Sequence, residues 1–415
     1  MRQNDAEVKV KKGRAERAAT RRAIRRERRG ETARAAANEA KDFGRGLSRV
    51  LNRYDFIVVL LVVLLSLFGI AMVFSAGYYQ TINSADPNPT YYLFRQAFFV
   101  ATGFVIMVIV ANIDYHIYMR FANIIMIISV VVLILVMAVG SSANNAQRWI
   151  GFGIFRITPS EFCKVAMIVF TSCFLASDPD NIRSAKGLGV LFAVMAAHFI
   201  LIILQPNLST AIVIVAIMGA IMLVAGLNML FLALPAIAGV LGYMYIMTAR
   251  TPEHWYQRLS SFMDPFADRQ GDGYQVTQGL IALGNGGLKG LGFGRSVAKN
   301  LYLPEPQNDF ILAVLGEELG YIGFLVLMLV YIILLFRLIM VALKANDRLG
   351  FYLATGVAVM LALQVIINVA VVTSSMPATG ITLPFISYGG TSIWAFMIAI
   401  GIVLNVSKKR EGKKR

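Results

Sequence analysis

Ten long apolar runs, parted by short polar or glycine- and proline-marked breaks, dominate residues 54–407. They cover 56–76, 97–113, 121–140, 160–176, 188–204, 208–226, 229–248, 310–336, 350–373 and 391–407. Each approaches the roughly 20 apolar residues that carry a helix across a bilayer. Gln205-Pro206-Asn207 divides the fifth run from the sixth, because a proline interrupts a stretch too long for one crossing. Gly226-Leu227-Asn228 divides the sixth from the seventh. The pattern predicts an all-α, polytopic integral membrane protein of about ten transmembrane helices. A large ordered outer loop, 249–308, joins the seventh and eighth.

Composition agrees and charge orients the chain. Only 15% of the 415 residues are charged, against about 25% in soluble domains. The net charge of +16 sits at the ends. Residues 1–53 hold 17 Lys/Arg against seven acids, and 408–415 hold six against one, while the body between is nearly neutral. A nucleic-acid-binding domain would spread basic residues over a folded face, so that class is excluded. Ten crossings put both tails on one side, and the positive-inside rule makes it the cytoplasm. Arg120, Arg183, Lys186, Arg337, Lys344 and Arg348 then fall in cytoplasmic loops. Three parts follow: a basic tail (1–53) that attracts anionic lipid, a membrane domain (54–407) and a short basic tail (408–415). Cys163 and Cys173, ten residues apart in one apolar run, cannot bridge within a helix. The three histidines have no zinc-like spacing. The 53 residues before the first apolar run are too many for a cleaved signal peptide.

Polar residues placed against their surroundings mark the chemistry. The outer loop carries Trp255, Tyr256, Phe262, Phe266, Tyr274, Phe293 and Tyr302, which disorder would not favour. With amphipathic stretches near 254–263 and 274–284, it reads as a lid or platform on the outer surface. Its Gly284–Gly294 stretch, with Lys289 and Arg295 nearby, suits either an anion-binding loop or a hinge. Asn308 caps the eighth helix and Asp309 sits in its first turn, a helix-start aspartate or a general base at the membrane edge. Glu317 and Glu318 lie about 12–13 Å deeper by helical rise, either functional carboxylates within the membrane or structural ones paired with polar groups such as Gln364 or Asn368. At the fourth run, Thr158, Pro159 and Glu161 make a capping box, and Arg156 and Lys164 flank an outward helix start that suits a phosphate. Glu161 can instead neutralise Lys164 as a helix pair. The last outer segment, Met376–Ser392, is apolar enough to re-enter the membrane and ends in Gly389-Gly390.

These stretches resemble the SEDS family (shape, elongation, division and sporulation proteins). The likeness runs over 54–407 and rests on Arg148-Trp149-Ile150-Gly151 with Phe155 to Phe162, Gln205 to Thr210 and Gly273-Tyr274-Gln275. It also rests on Tyr302-Leu303-Pro304-Glu305 through Asp309-Phe310, Gly316 to Gly320, and Pro384 to Gly390. Leu383-Pro384-Phe385 after Gly380-Ile381-Thr382 looks like the division and sporulation branch. The resemblance implies a peptidoglycan glycosyltransferase that polymerises lipid II into β-1,4 glycan on the outer face of the bacterial cytoplasmic membrane, at the division septum. It implies Asp309 as the catalytic base and Arg156 and Lys164 as cations for the departing pyrophosphate. Lys289, Arg258, Ser387, Gly389 and Gly390 are further substrate contacts, with Glu161, Glu305, Glu318, Gln364 and Asn368 in support. No cofactor is required, though Mg or Mn near Asp309 could share the charge. Expected partners are lipid II, a class B penicillin-binding transpeptidase and other division proteins. The family's frequent His-Thr before the aspartate is Gln307-Asn308 here, and its Gln-Pro-Asp is Gln205-Pro206-Asn207. A lipid II flippase and a non-enzymatic division scaffold are the competing functions.

Overall fold

The computed structural model describes residues 54–83, 87–143, 146–152, 155–249, 253–267, 271, 273–300 and 302–408. What was expected of the tails 1–53 and 409–415 lies outside these residues. The first three helices are α1 (Phe56–Ile82), α2 (Tyr91–Asn112) and α3 (Ile117–Val139). After a small sheet come α4 (Pro159–Ser177), α5 (Ala185–Ile203), α6 (Leu208–Val224) and α7 (Leu230–Ala249). The outer loop contains α8 (Glu253–Met263) and α9 (Tyr274–Gly286), so both amphipathic stretches are helical. The chain ends with α10 (Ile311–Leu343), α11 (Arg348–Val372) and α12 (Gly390–Ser407). Among the described residues, eight helices are long and apolar enough to cross a membrane, while Leu208–Val224 is apolar but shorter. The protein is a multi-pass membrane protein.

Helix ends differ from the apolar runs for one reason. Hydropathy marks the lipid-matched core, whereas backbone hydrogen bonding continues into the polar interface. Thus α1 runs on through Tyr78, Tyr79 and Gln80 to Ile82, and α2 starts six residues earlier than its apolar run. Gly226, at φ 105°, ends α6 and separates it from α7, as a left-handed glycine does at helix C-termini.

The fold departs from all-α between α3 and α4. Strands β1 (Ser141–Ala143), β2 (Ala146–Phe152) and β3 (Phe155–Ile157) form an antiparallel sheet in sequence order, with Gly151 opposite Arg156. Helix α4 is the centre of the bundle, packing on α3, α6, α11 and α12. At one end of the bundle, Asn405 on α12 accepts from Tyr115 N–H (2.9 Å) and donates to Ala111 O (2.7 Å). Asp347, the N-cap of α11, accepts from Gly350 N–H (2.7 Å) and Tyr115 OH (2.7 Å) and meets His116 Nε2 (2.8 Å). The α2–α3 turn, the α10–α11 turn and the end of α12 therefore share one face.

Burial pushes the Asp347 carboxyl up, but the Gly350 N–H, Tyr115 hydroxyl and His116 outweigh it and hold it below the ordinary aspartate value. A depressed carboxyl contributes stability that is present above its unfolded value and lost as pH falls through its folded value. Melting temperature should therefore drop on acidification below about pH 4. Asp347→Asn should melt lower at neutral pH and show a shallower acid decline. Parallel curves for both proteins would refute this linkage.

The glycine-rich stretch has a packing use that the sequence did not suggest. Helix α10 is broken at Gly320 (φ 67°, ψ −169°), and the chain after α9 lies against the break. Leu291 and Gly292 N–H donate to Glu317 O and Glu318 O (both 2.9 Å), and Tyr321 and Ile322 N–H donate to Gly287 O (2.9 Å) and Leu288 O (3.1 Å). A Cβ on Gly290 would stand 2.2 Å from Glu318 O, and one on Gly286 2.0 Å from Gly316 O. The glycines permit two backbones to touch. Gly290→Ala, at φ 77°, should cost about 1–3 kcal/mol and lower the melting temperature in detergent. No change in melting would show that the contact gives way freely.

Candidate active site

Asp309 is half-buried and precedes α10, which begins at Ile311 with Phe310 as its N-cap residue. Asn308 is therefore not the cap. Its amide donates to Glu305 Oε2 (2.6 Å), and its N–H to Glu305 O (3.0 Å). That turn engages the exposed Glu305 and delays the helix. The buried amide of Asn368 on α11 donates to Asp309 O and to Ile381 O, both at 2.8 Å. One side chain thus joins the aspartate to the last outer segment. The Asp309 carboxylate faces Gly380, where a Cβ would lie 3.9 Å from Oδ2.

Gln307 secures the other side. It is 2% exposed, its carbonyl accepts from Tyr388 N–H (2.8 Å), and its amide donates to Tyr92 OH (3.1 Å). The last outer segment is held from several helices. Tyr331 OH donates to Pro384 O, Gln96 to Ser387 O (3.1 Å), and Ser209 OH to Thr379 O (3.1 Å). Ser387 OH accepts from Leu383 N–H (2.8 Å), so it braces its own segment. Gly390 lies against the Phe99 ring, 2.4 Å from a notional Cβ. Gly389 is the N-cap residue of α12.

The fourth helix starts as expected in position but not in bonding. Thr158 is the N-cap residue and Pro159 follows, yet no side-chain capping bond forms. Glu161 instead pairs with Lys164 (Oε1 to Nζ, 2.8 Å), with the lysine side chain 4% and the glutamate side chain 16% exposed. Glu161 Oε2 has no partner among the described residues. Thr158 N–H donates to Thr391 OH at the start of α12 (3.2 Å), just past the last outer segment to which Gln307 and Asn368 tie the Asp309 stretch. A Cβ on Gly356 of α11 would touch Ile168 of α4. Eight residues toward the Asp309 end from that contact, about 12 Å, stand Gln364 on α11 and Ser160 on α4. Gln364 is 1% exposed with neither amide atom bonded. Asp309, Asn368, Gln364, Glu161 and Lys164 therefore gather at one end of the bundle.

The side chains of Arg156 and Arg258 are outside the described part of the structure. Lys289 is exposed on the turn after α9, three residues from Gly292, which meets Glu318. Glu317 and Glu318 do not pair with Gln364 or Asn368. Both lie before the break at Gly320, on the short first part of α10. Glu317 accepts from Ser296 OH, from Ala298 N–H (3.1 Å) and from Asn285 (3.4 Å). Glu318 pairs with Lys299 (2.7 Å) and accepts from Ser75 OH (2.6 Å). Lys299, Gln307 and Tyr92 were missed, because no local pattern marks a polar residue whose partners lie on other helices.

A family model described as a cell cycle protein, FtsW/RodA/SpoVE, matches residues 55–412. The chain belongs to the FtsW/RodA/SpoVE family. Its relatives include stage V sporulation protein E of Bacillus subtilis (strain 168), 39% identical over 85% of this chain and 97% of that protein. The probable peptidoglycan glycosyltransferase FtsW of Geobacter sp. (strain M18) is 33% identical over 88% of this chain and 99% of its own. Among solved structures, a chain from a peptidoglycan synthase complex that coordinates polymerization and crosslinking superposes with TM-score 0.70. It is 25% identical over 85% of this chain and 97% of that chain. The rod shape determining protein RodA of Thermus thermophilus gives 0.64 at 25% identity, covering 86% and 98%. This FtsW/RodA/SpoVE member thus keeps the family fold along nearly the whole length of those proteins.

Proposed function

We propose that this protein is a peptidoglycan glycosyltransferase that polymerises lipid II on the outer face of the cytoplasmic membrane during cell division or sporulation. The relatives named as glycosyltransferases support the activity. The observation that carries the chemistry is Asp309, a half-buried carboxylate held through its backbone by Asn368 at the end of the bundle where Lys164 lies.

The 4-hydroxyl of the acceptor GlcNAc gives its proton to Asp309 as its oxygen attacks the donor's anomeric carbon. The bond from that carbon to the pyrophosphate breaks, and the polyprenyl pyrophosphate leaves with the electron pair. Lys164 meets the growing negative charge. An ammonium has three N–H donors, and the Glu161 bond uses one, so donors remain for phosphate oxygens. Arg156 supplies a second cation from the strand that leads into α4. Gln364 offers an unpaired amide to the same space, suited to a sugar hydroxyl or acetamido group. Among the described residues, no three His, Cys, Asp or Glu side chains come together to hold a metal. A Mg or Mn ion near Asp309 would be held by that carboxylate together with the substrate's own phosphate oxygens, and would supply further positive charge to the leaving pyrophosphate.

A class B penicillin-binding transpeptidase is the proposed partner, since a similar chain is part of a synthase complex that also crosslinks. The excess of Lys and Arg in both tails supports a cytoplasmic location for them by the positive-inside rule, and would draw the N-terminal one to anionic lipid. The test is purified protein with lipid II in detergent, alone and with a transpeptidase, read as glycan strands on a gel. A protein that moves labelled lipid II across vesicles but makes no strands would defeat the proposal.

A further inference from the structure

We propose that Lys299 is a positioning residue for Asp309, acting through its buried ion pair with Glu318; this rests on the reading of Asp309 as the proton acceptor. Lys299 stands ten residues before Asp309 and Glu318 nine after it. Their contact, 2.7 Å between side chains 2% and 0% exposed, closes a loop with Asp309 near its apex. The base of the loop is clamped twice. Glu318 takes Lys299, while Glu317 beside it takes Ser296 OH and Ala298 N–H from the same limb. Adjacent helical residues point about 100° apart, so the two carboxylates grip the limb from different directions.

Ser75 ties this base to the bundle. Its hydroxyl donates to Glu318 Oε1 (2.6 Å) and accepts from Lys299 Nζ (2.9 Å). Lysine, serine and glutamate thus form a closed triangle on a single carboxylate oxygen. Glu318 Oε2 has no partner among the described residues, so the hold on this carboxylate passes through Oε1. Charge-assisted hydrogen bonds are short and directional, whereas apolar contact is not. Such a clamp sets where the limb stands as well as keeping it buried. From its base the limb runs through buried Leu303, whose N–H donates to Ala298 O (2.8 Å), to Gln307 and Asp309. A misplacement of about 1 Å at a reacting group can cost 100-fold in rate, so a shift at the base would reach the chemistry without touching substrate.

The experiment uses the full-length protein in detergent, with lipid II titrated and strand formation followed. In Lys299→Met, turnover at saturating lipid II should fall about tenfold or more while KM stays within about twofold. Ser75→Ala, which removes one hydroxyl and keeps the ion pair, should lose about threefold in turnover. The charge swap K299E/E318K should recover about a third of wild-type turnover, because it restores the contact. Wild-type turnover in Lys299→Met would overturn the proposal. So would a loss confined to KM, which would make Lys299 a substrate-binding cation, or a swap no better than the single variants. If Lys299→Met does not fold, Ser75→Ala decides: unchanged turnover refutes the clamp. Asp309→Asn run alongside keeps the underlying reading separate. Strands from that variant refute Asp309 itself, whereas an inactive Asp309→Asn beside a fully active Lys299→Met refutes the clamp alone.

Discussion

Asp309→Asn should abolish glycan strands, with a fall in polymerisation of about 10²–10⁴-fold, the range general base catalysis supplies. The replacement is nearly isosteric. The bond from Asn368 goes to the backbone carbonyl of residue 309, so it survives the change. What disappears is the lone pair of an ionised carboxylate facing Gly380. Lipid II binding, measured on the inactive protein, should be retained, because no cation is removed. Strand formation within about tenfold of wild type would show that the acceptor hydroxyl loses its proton elsewhere.

Lys164→Met carries the second large effect, and it has two components. Glu161 would remain largely buried without its cation, and breaking such a pair costs about 3–5 kcal/mol. The same change removes the ammonium proposed to meet the leaving pyrophosphate, worth about 10²–10³ in turnover. The double variant E161Q/K164M separates them. It removes the orphaned charge, so melting should recover most of the way, yet strands should remain scarce. A double variant that polymerises within about threefold of wild type would limit Lys164 to a structural ion pair.

Several parts of the site were legible in the chain. A helix start at Thr158-Pro159 is a local matter, since proline is tolerated in the first turn, and the structure begins α4 there. The Glu161–Lys164 pair was one of two readings of that turn, and its i,i+3 spacing requires only one helix. A phosphate bound at the helix start was the other; the capping box did not form, since Thr158 makes no side-chain cap bond. Asn308 looked like a cap but is engaged by Glu305 three residues back, a turn that postpones α10. Glu317 and Glu318 were read as sitting along an unbroken span. Gly320 breaks it, and nothing local says that another stretch of backbone will lie against that glycine.

The apolar runs determined by themselves that this chain crosses a membrane repeatedly, because lipid imposes a length and polarity on every crossing that no distant contact can relax. The order of stretches in Arg148–Lys164, Tyr302–Gly320 and Pro384–Gly390 likewise marked the family. Only the tertiary structure decided which polar groups meet. Ser75, Lys299 and Glu318 are 224 and 19 residues apart in sequence, and Asn368 reaches Asp309 from 59 away. Burial obliges such groups to find partners, but which partners they find depends on helices brought side by side.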